Sequence, residues 1–345
     1  MVSITDVAKQ ANVSITTVSR VLNGSAHPVS AATRAKVLAA IEALNYSPNV
    51  LAQAMITRAT RIVGVIIGDA TDPYFATIIR GVEDVARQHG YMVILCNSDR
   101  VPEIEIGYIN TLGSYRADGL IFAGGGLTDE SYLKNIDKAL QNFQRRGAKC
   151  ISLAKHLVST LSVLVDNEQV IRDSVSYLIS LGHQAIAYIS GPTLLTTTSL
   201  RFNGYRATLS EHHLPYRVEF VFDGDYKYES GLQAAQAIDK LAEKPTAVLA
   251  SNDMMAIGCI VGLRELGYRI PQDLSVMGVD DITAAQFVDP PLTTMALPLY
   301  ELGAKGMDSL IKVRSGDLAG DETIVLAHQL VRRKSTAPPN KGGRP

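Results

Sequence analysis

The sequence predicts an all-α helix-turn-helix head followed by an α/β core of two doubly wound parallel-sheet subdomains. Three observations carry this expectation. Near the N-terminus two short helical patterns flank Asn12-Val13-Ser14. From Arg61 onward, apolar runs of strand length alternate with helical stretches, the pattern of a parallel sheet wound with helices. That alternating set then occurs a second time. The 345 residues leave room for two or three domains, and 46% apolar against 19% charged residues is enough to build large cores.

The head comes first. Ile4, Val7, Ala8 and Ala11 fall on one helical face, and Thr5 is placed to cap its start. Ser14 caps a second helix whose Val18, Val21 and Leu22 turn inward, which leaves Ile15, Thr16, Thr17, Ser19 and Arg20 outward. Two such helices joined by a three-to-four-residue turn form the arrangement whose second helix enters the DNA major groove. Gly24 and Pro28 mark a loop. Ser30 opens a third helix over residues 31–45 with Val37, Leu38, Ile41 and Leu44 as its stripe, and Asn45-Tyr46-Ser47-Pro48 stops it. The whole chain has a net charge of −1, which does not announce a nucleic-acid binder. The first 58 residues do lean basic: Lys9, Arg20, Arg34, Lys36 and Arg58 oppose Asp6 and Glu42, as phosphate neutralisation requires.

The string A-x-x-A-x-V-S-x-x-T-V-S-R-V-L-N, residues 8–23, closely resembles the start of the lac repressor and purine repressor family of bacterial transcription factors. The resemblance implies that Thr5, Ile15, Thr16, Thr17, Arg20 and Asn23 meet double-stranded operator DNA. Residues 49–58, NVLAQAMITR, are too short for an independently stable helix and read locally as a linker. Within S-P-N-x-x-A-x-x-[LM], the resemblance gives them a second reading as a hinge helix that orders on the operator, with Asn49 on the DNA and Met55 wedged into the central base step. Most relatives carry leucine there, but methionine also serves as a wedge.

In the core, Ile62-Val63-Gly64-Val65-Ile66-Ile67 is a continuous apolar run, as a strand buried on both faces requires. Helices are expected at 75–89, 103–115 and 130–145, with strands at 91–96, 119–123 and 149–153 between and after them. The second set has helices at 168–181, 199–212, 228–241 and 254–266, and strands at 185–190, 218–222, 247–250 and 275–279. Two similar sheets in one chain resemble the periplasmic sugar-binding fold. The expected organisation is a head over 1–46, a hinge over 47–60 and an effector-binding and dimerisation domain over 61–335. The latter divides into a first subdomain, about 61–160 plus 292–322, and a second, about 161–291 plus 323–335. Residues 336–345, rich in Pro and Gly and basic, are expected to be disordered. No apolar heptad helix of the kind that tetramerising relatives carry is present. A homodimer is expected because a single short recognition helix reads too few base pairs for specificity.

Ligands of open α/β sheets sit at the carboxyl ends of the strands. Four stretches there carry polar groups: residues 69–75, 191–204, 251–253 and 278–281. Asp72 reads locally as a helix cap, as does Asp253. The resemblance places Tyr74 and Phe75 against the flat face of a ligand, Tyr226 as a stacking aromatic, and Asn252 and Asp280 on sugar hydroxyls. It places Arg201 where a guanidinium forks onto hydroxyls or a carboxylate. One position departs: many relatives have a ligand-binding aspartate where this chain has Ala154, followed by Lys155. Lys155 either favours an anionic ligand or faces solvent.

Several classes are disfavoured. Cys96, Cys150 and Cys259 lie in apolar runs without regular spacing, which argues against a disulfide framework or a metal site. Gly124-Gly125-Gly126 follows a strand but lacks the lysine of a phosphate loop, there is no G-x-S-x-G or H-E-x-x-H, and the seven histidines do not cluster. His212-His213 closes a helix, where a cation is favourable. No cofactor, metal or catalytic residue is expected. No signal segment or membrane-length apolar run is present, so a cytoplasmic protein with no membrane partner is expected. The leading expectation is a repressor that binds a palindromic operator as a homodimer and answers to a small-molecule effector, a sugar or related metabolite. The rivals are a sugar-binding transport component, a metabolic enzyme, and a regulator controlled by a phosphorylated carrier protein.

Overall fold

The computed structural model describes residues 2–22, 27–47, 59–158, 160–319 and 322–340. The chain forms two compact units, Met1–Thr60 and Arg61–Pro345.

The first unit holds α1 (Ile4–Ala11), α2 (Ile15–Leu22) and α3 (Ala31–Ala43). Ser3, not Thr5, caps α1. Its hydroxyl accepts from the Asp6 amide while the Asp6 carboxylate accepts from the Ser3 amide at 2.9 Å, a reciprocal box that satisfies two orphan donors at once. Thr5 lies inside the helix and is exposed. Asn12, at φ 51°, turns the chain out of α1. Ser14 Oγ then accepts from the Thr17 amide at 3.1 Å, and Ser30 Oγ accepts from Thr33 at 3.2 Å. Val7, Val18 and Val37, one from each helix, are fully buried against Ala8, Ala11, Val21 and Ala40. Each valine contributes about 1.5–3 kcal/mol of apolar burial. Leu38 was expected in the stripe but is 52% exposed. Val37, Ala40, Ile41 and Leu44 keep the i, i+3, i+4, i+7 spacing, and Leu38 falls a further 100° around the helix.

The second unit contains two six-stranded sheets. The first has the order β11-β5-β4-β3-β1-β2, all neighbours parallel, with Val65 of β1 opposite Leu95 and Ile121. Its strands are β1 (Ile62–Ile67), β2 (Met92–Asn97), β3 (Gly119–Phe122), β4 (Lys149–Ser152), β5 (Leu161–Val165) and β11 (Thr323–Leu326). The second has the order β12-β10-β9-β8-β6-β7, parallel except for β10 against β12. It comprises β6 (Ile186–Ile189), β7 (Val221–Phe222), β8 (Ala247–Ala250), β9 (Ser275–Asp280), β10 (Thr293–Ala296) and β12 (Gln329–Val331). The helices are α4 (Pro73–Gln88), α5 (Pro102–Ser114), α6 (Glu130–Gln144), α7 (Asn167–Ser180), α8 (Thr196–Glu211), α9 (Tyr228–Lys240), α10 (Asp253–Glu265) and α11 (Leu299–Ser315). Along β1, Val63, Val65 and Ile67 face the core shared with α4 and α11, and Ile62 and Ile66 face the core shared with α5 and α6. The first sheet is therefore covered on both faces, as an all-parallel sheet must be.

Three expectations need correction. Residues 161–165 and 323–326 join the first sheet and 293–296 the second, so the chain crosses between lobes after β5, after β10 and after β11. Residues 218–220 form a 3₁₀ turn, which leaves a two-residue strand. The tail is held as far as Ala337. Ser335 is fully buried and donates to Val276 O at 2.6 Å, the Ala337 amide donates to Ser275 Oγ at 3.0 Å, and His183 Nε2 lies 2.9 Å from Ala337 O. The first of these gives the Val276 carbonyl of β9 a donor, and the other two hold the backbone of Ala337. Residues 341–345 lie outside the described residues.

Candidate DNA interface and effector cleft

The candidate DNA face is the outward side of α2. Ile15 is 47% exposed and Thr16 is exposed beside it, while Thr17 and Arg20 are half-buried. Thr17 Oγ1 sits 2.9 Å from Ser14 Oγ, so this hydroxyl is tied to the helix start. Asn23, Asn49, Met55 and nearly all of the expected hinge lie outside the described residues.

The candidate effector cleft opens at the carboxyl ends of both sheets. From the first lobe come Asp72, Tyr74 and Phe75 at the start of α4. Asp72 does cap that helix, accepting from the Tyr74 amide at 3.0 Å, and it also lines the cleft. Tyr74 and Phe75 meet edge to face with centroids 5.1 Å apart. From the second lobe come Arg201 on α8, Tyr226 after β7, Asn252 after β8 and Asp280 at the end of β9. All six expected effector residues line this one space.

Arg201 and Asp280 are the electrostatic centre. Both are almost fully buried, at 3% and 4% exposure. Arg201 donates through Nε to Asn167 Oδ1 at 2.7 Å and through Nη1 to the Ser251 carbonyl, and its Nη2 lies 3.6 Å from Asp280 Oδ1. Burial pushes the Asp280 carboxyl well up; Arg201 opposes this, while Asp253 and Asp72 reinforce it. Asp280 Oδ1 has no hydrogen-bond partner among the described residues. Asp280 and Asp281 both have positive φ, 116° and 59°, in a region that non-glycine residues seldom occupy.

The helix α10 is capped by Asn252, whose Oδ1 accepts from the Met255 amide at 3.0 Å while its Nδ2 donates to Tyr226 O at 2.9 Å. Asp253 does not act as a cap. It is fully buried, accepting from Thr294 Oγ1 at 2.6 Å and from the Ile282 amide at 2.9 Å. It thereby holds the strained 280–282 turn, and burial pushes its carboxyl up to about 7.

The sequence reading missed Glu105, Arg100 and His156, which all line the cleft. Arg100 lies over the Tyr226 ring, 5.7 Å from its centroid. His156 Nε2 is 2.9 Å from Gly124 O, its ring packs on Phe122, and burial pushes it down to about 4, so it is neutral. Of the three glycines, which the sequence does not support as a phosphate loop, two sit where a side chain would not fit. A Cβ on Gly125 would stand 2.3 Å from Thr197 Oγ1, and one on Gly126 would stand 2.9 Å from the His156 ring. Gly125 thereby lets the second lobe approach, where Thr196 N donates to Gly126 O at 2.9 Å and Thr196 Oγ1 donates to Lys155 O at 2.6 Å. Lys155 itself is exposed. The three cysteines are buried and free. Among the described residues no three His, Cys, Asp or Glu side chains gather as a metal site, and no helix is long and apolar enough to cross a membrane.

Residues 3–49 match the model for bacterial regulatory proteins of the lacI family, and residues 175–336 match a periplasmic binding protein-like domain. Catabolite control protein A of Priestia megaterium is 37% identical over 340 residues, which cover 97% of this chain and 99% of that protein. The chain belongs to the lacI family of bacterial regulatory proteins. Among solved lacI-family structures, the lac repressor dimer bound to operator and the anti-inducer ONPF superposes with a TM-score of 0.85 at 30% identity, covering 97% of this chain and 99% of that one. The complex of the regulator CelR with cellobiose gives 0.71, also at 30% identity, covering 97% and 100%. The fold of a lacI-family head and a two-lobed α/β core thus extends over nearly the whole chain.

Proposed function

We propose that this lacI-family chain is a cytoplasmic transcriptional repressor, not an enzyme, that binds a palindromic operator as a homodimer under the control of a small metabolite, most naturally a sugar. The observation that carries this is the presence, in one chain, of the exposed α2 face and of a cleft built round the buried Arg201–Asp280 pair. Carboxylates, an amide and a guanidinium beside aromatic rings suit a ligand with hydroxyl edges and C–H faces. The relatives support the reading: the lac repressor dimer is bound to operator and a small anti-inducer, and the regulator CelR is in complex with cellobiose.

In this account Thr5, Ile15, Thr16, Thr17, Arg20 and Asn23 meet the major groove, and Asn49 and Met55 act in a hinge on the minor groove. One head reads too few base pairs for specificity, so two heads are needed. Selection of bound sites from a random duplex library by the full-length chain is expected to enrich a two-fold symmetric sequence. Enrichment of an unsymmetric site, or of none, contradicts the proposal.

A further inference from the structure

The turn that follows β2 carries a guanidinium into the cleft. Ser98 Oγ donates to Ile67 O at 2.9 Å, the Val101 amide donates to Ser98 O at 2.9 Å, and Asn97 Nδ2 donates to Asp99 Oδ1 at 2.8 Å. Between these ties Asp99 and Arg100 both take positive φ, 51° and 59°, a conformation that non-glycine residues hold only where their surroundings impose it. The Arg100 head lies over the Tyr226 ring, and it fills the space beside Gly68, where a Cβ would stand 3.0 Å from Nε and 3.3 Å from Cζ. Arg100, Gly68 and Tyr226 all line the cleft, so the guanidinium itself stands in the cleft wall. Among the described residues it donates no hydrogen bond, and none of its nitrogens is sealed from solvent. The two carboxylates that feel its charge are taken by other donors: Asp69 by Thr71, with Lys227 Nζ at 3.9 Å, and Asp72 by the Tyr74 amide.

The charge balance of the wall points the same way. Three carboxyls line the cleft, Asp72, Glu105 and Asp280, and burial raises all three toward the neutral form. The guanidiniums of Arg100 and Arg201 cannot shed their charge. Arg201 faces Asp280, whereas Arg100 has no ion-pair partner among the described residues. A guanidinium laid over an aromatic ring keeps its N–H edge free, and that edge matches two oxygens of a carboxylate or phosphate. We infer that Arg100 is a specificity-determining residue and that the effector carries an oxyanion, a carboxylate or a phosphate, held in the fork of the Arg100 guanidinium. This rests on the effector-cleft reading above and adds the charge of the ligand.

The test follows the arginine Nε–Hε signals of the full-length chain by NMR during titration with sodium phosphate and with sodium acetate, against sodium chloride at the same ionic strength. The Arg100 signal is the one missing from Arg100→Gln, and the exposed Arg145, identified through Arg145→Gln, is the reference. The Arg100 signal is expected to shift saturably with at least one oxyanion, at a concentration about tenfold below that needed for Arg145. Tighter capture of phosphate points to a phosphate ester, and tighter capture of acetate to a carboxylate. A response no stronger than that of Arg145, or one that chloride reproduces, makes Arg100 a solvated cation only and overturns the inference. Calorimetry with galactose, galacturonate and galactose 6-phosphate, which differ only in the group at C6, carries the test to whole ligands. An anionic member that binds the parent should bind about tenfold tighter than galactose. Arg100→Gln should bring the two within about twofold, and Arg100→Lys, a cation without the fork, should fall between. Equal or tighter binding of galactose in the parent, or an anion preference that survives Arg100→Gln, overturns the inference and leaves the effector cleft standing. If none of the three binds the parent, the arginine signals alone decide.

Discussion

Arg201→Ala is expected to abolish the effector response and to lower the unfolding free energy of the second unit by about 3–5 kcal/mol, the usual result of removing one partner of a buried ion pair. The guanidinium serves three groups at once: the Asn167 amide oxygen, the Ser251 carbonyl and the Asp280 carboxylate. Truncation leaves all three buried, and the strained turn at Asp280 loses its counter-charge. Asp280→Asn is the contrasting case. Its carboxyl is already pushed toward the neutral form, so an amide of the same shape disturbs stability far less yet removes an acceptor from the ligand. The double expectation is a large fall in melting temperature for Arg201→Ala, a small one for Asp280→Asn, and loss of effector response in both. Thermal melts, operator affinity and ligand response on the same two variants check it. An Asp280→Asn protein that still answers fully to effector removes that residue from the site.

Arg20→Ala acts in the first unit and is expected to cost about 1–3 kcal/mol on the specific operator while leaving nonspecific binding nearly unchanged. Arg20 lies in the last turn of α2, half-buried, on the face opposite Val18 and Val21. A guanidinium there can fork onto the O6 and N7 of one guanine, the commonest specific contact in the major groove. The loss should appear as relaxed preference at one base pair in each half-site of an array of operator variants. Unchanged discrimination at every position contradicts the assignment.

Much of the fold was legible because its signals are local. Each apolar run of strand length with a following helical stretch gave a βα unit, and Ser14 and Ser30 capped their helices as their side-chain chemistry suggests. What was not legible depends on partners distant in sequence. The strands Leu161–Val165, Thr293–Ala296, Thr323–Leu326 and Gln329–Val331 and the helix Leu299–Ser315 were not read as elements, and nothing in those strands says which of two similar sheets each joins, so the lobe boundaries were misplaced. Asn252 and Asp253 are both good cap residues, and only the tertiary contacts to Thr294 and Ile282 decide between them. The proposed effector residues were named from their position after strands and from resemblance, and all six line one cleft. Glu105 was not, because a glutamate in the first turn of a helix looks like an ordinary dipole partner until α6 brings Tyr132 against it. His156 was missed for the same reason, being placed by a glycine run 30 residues away.

If the cleft and the α2 surface act through one equilibrium, sugar and operator must be reciprocally linked. Operator affinity is measured by fluorescence anisotropy with and without a saturating sugar that binds the cleft. The affinity of that sugar is then measured for the free protein and for the operator complex. The two ratios are expected to be equal: a tenfold change in operator affinity must accompany a tenfold change in sugar affinity, about 1.4 kcal/mol either way. Sugar binding that leaves operator affinity unchanged would contradict it.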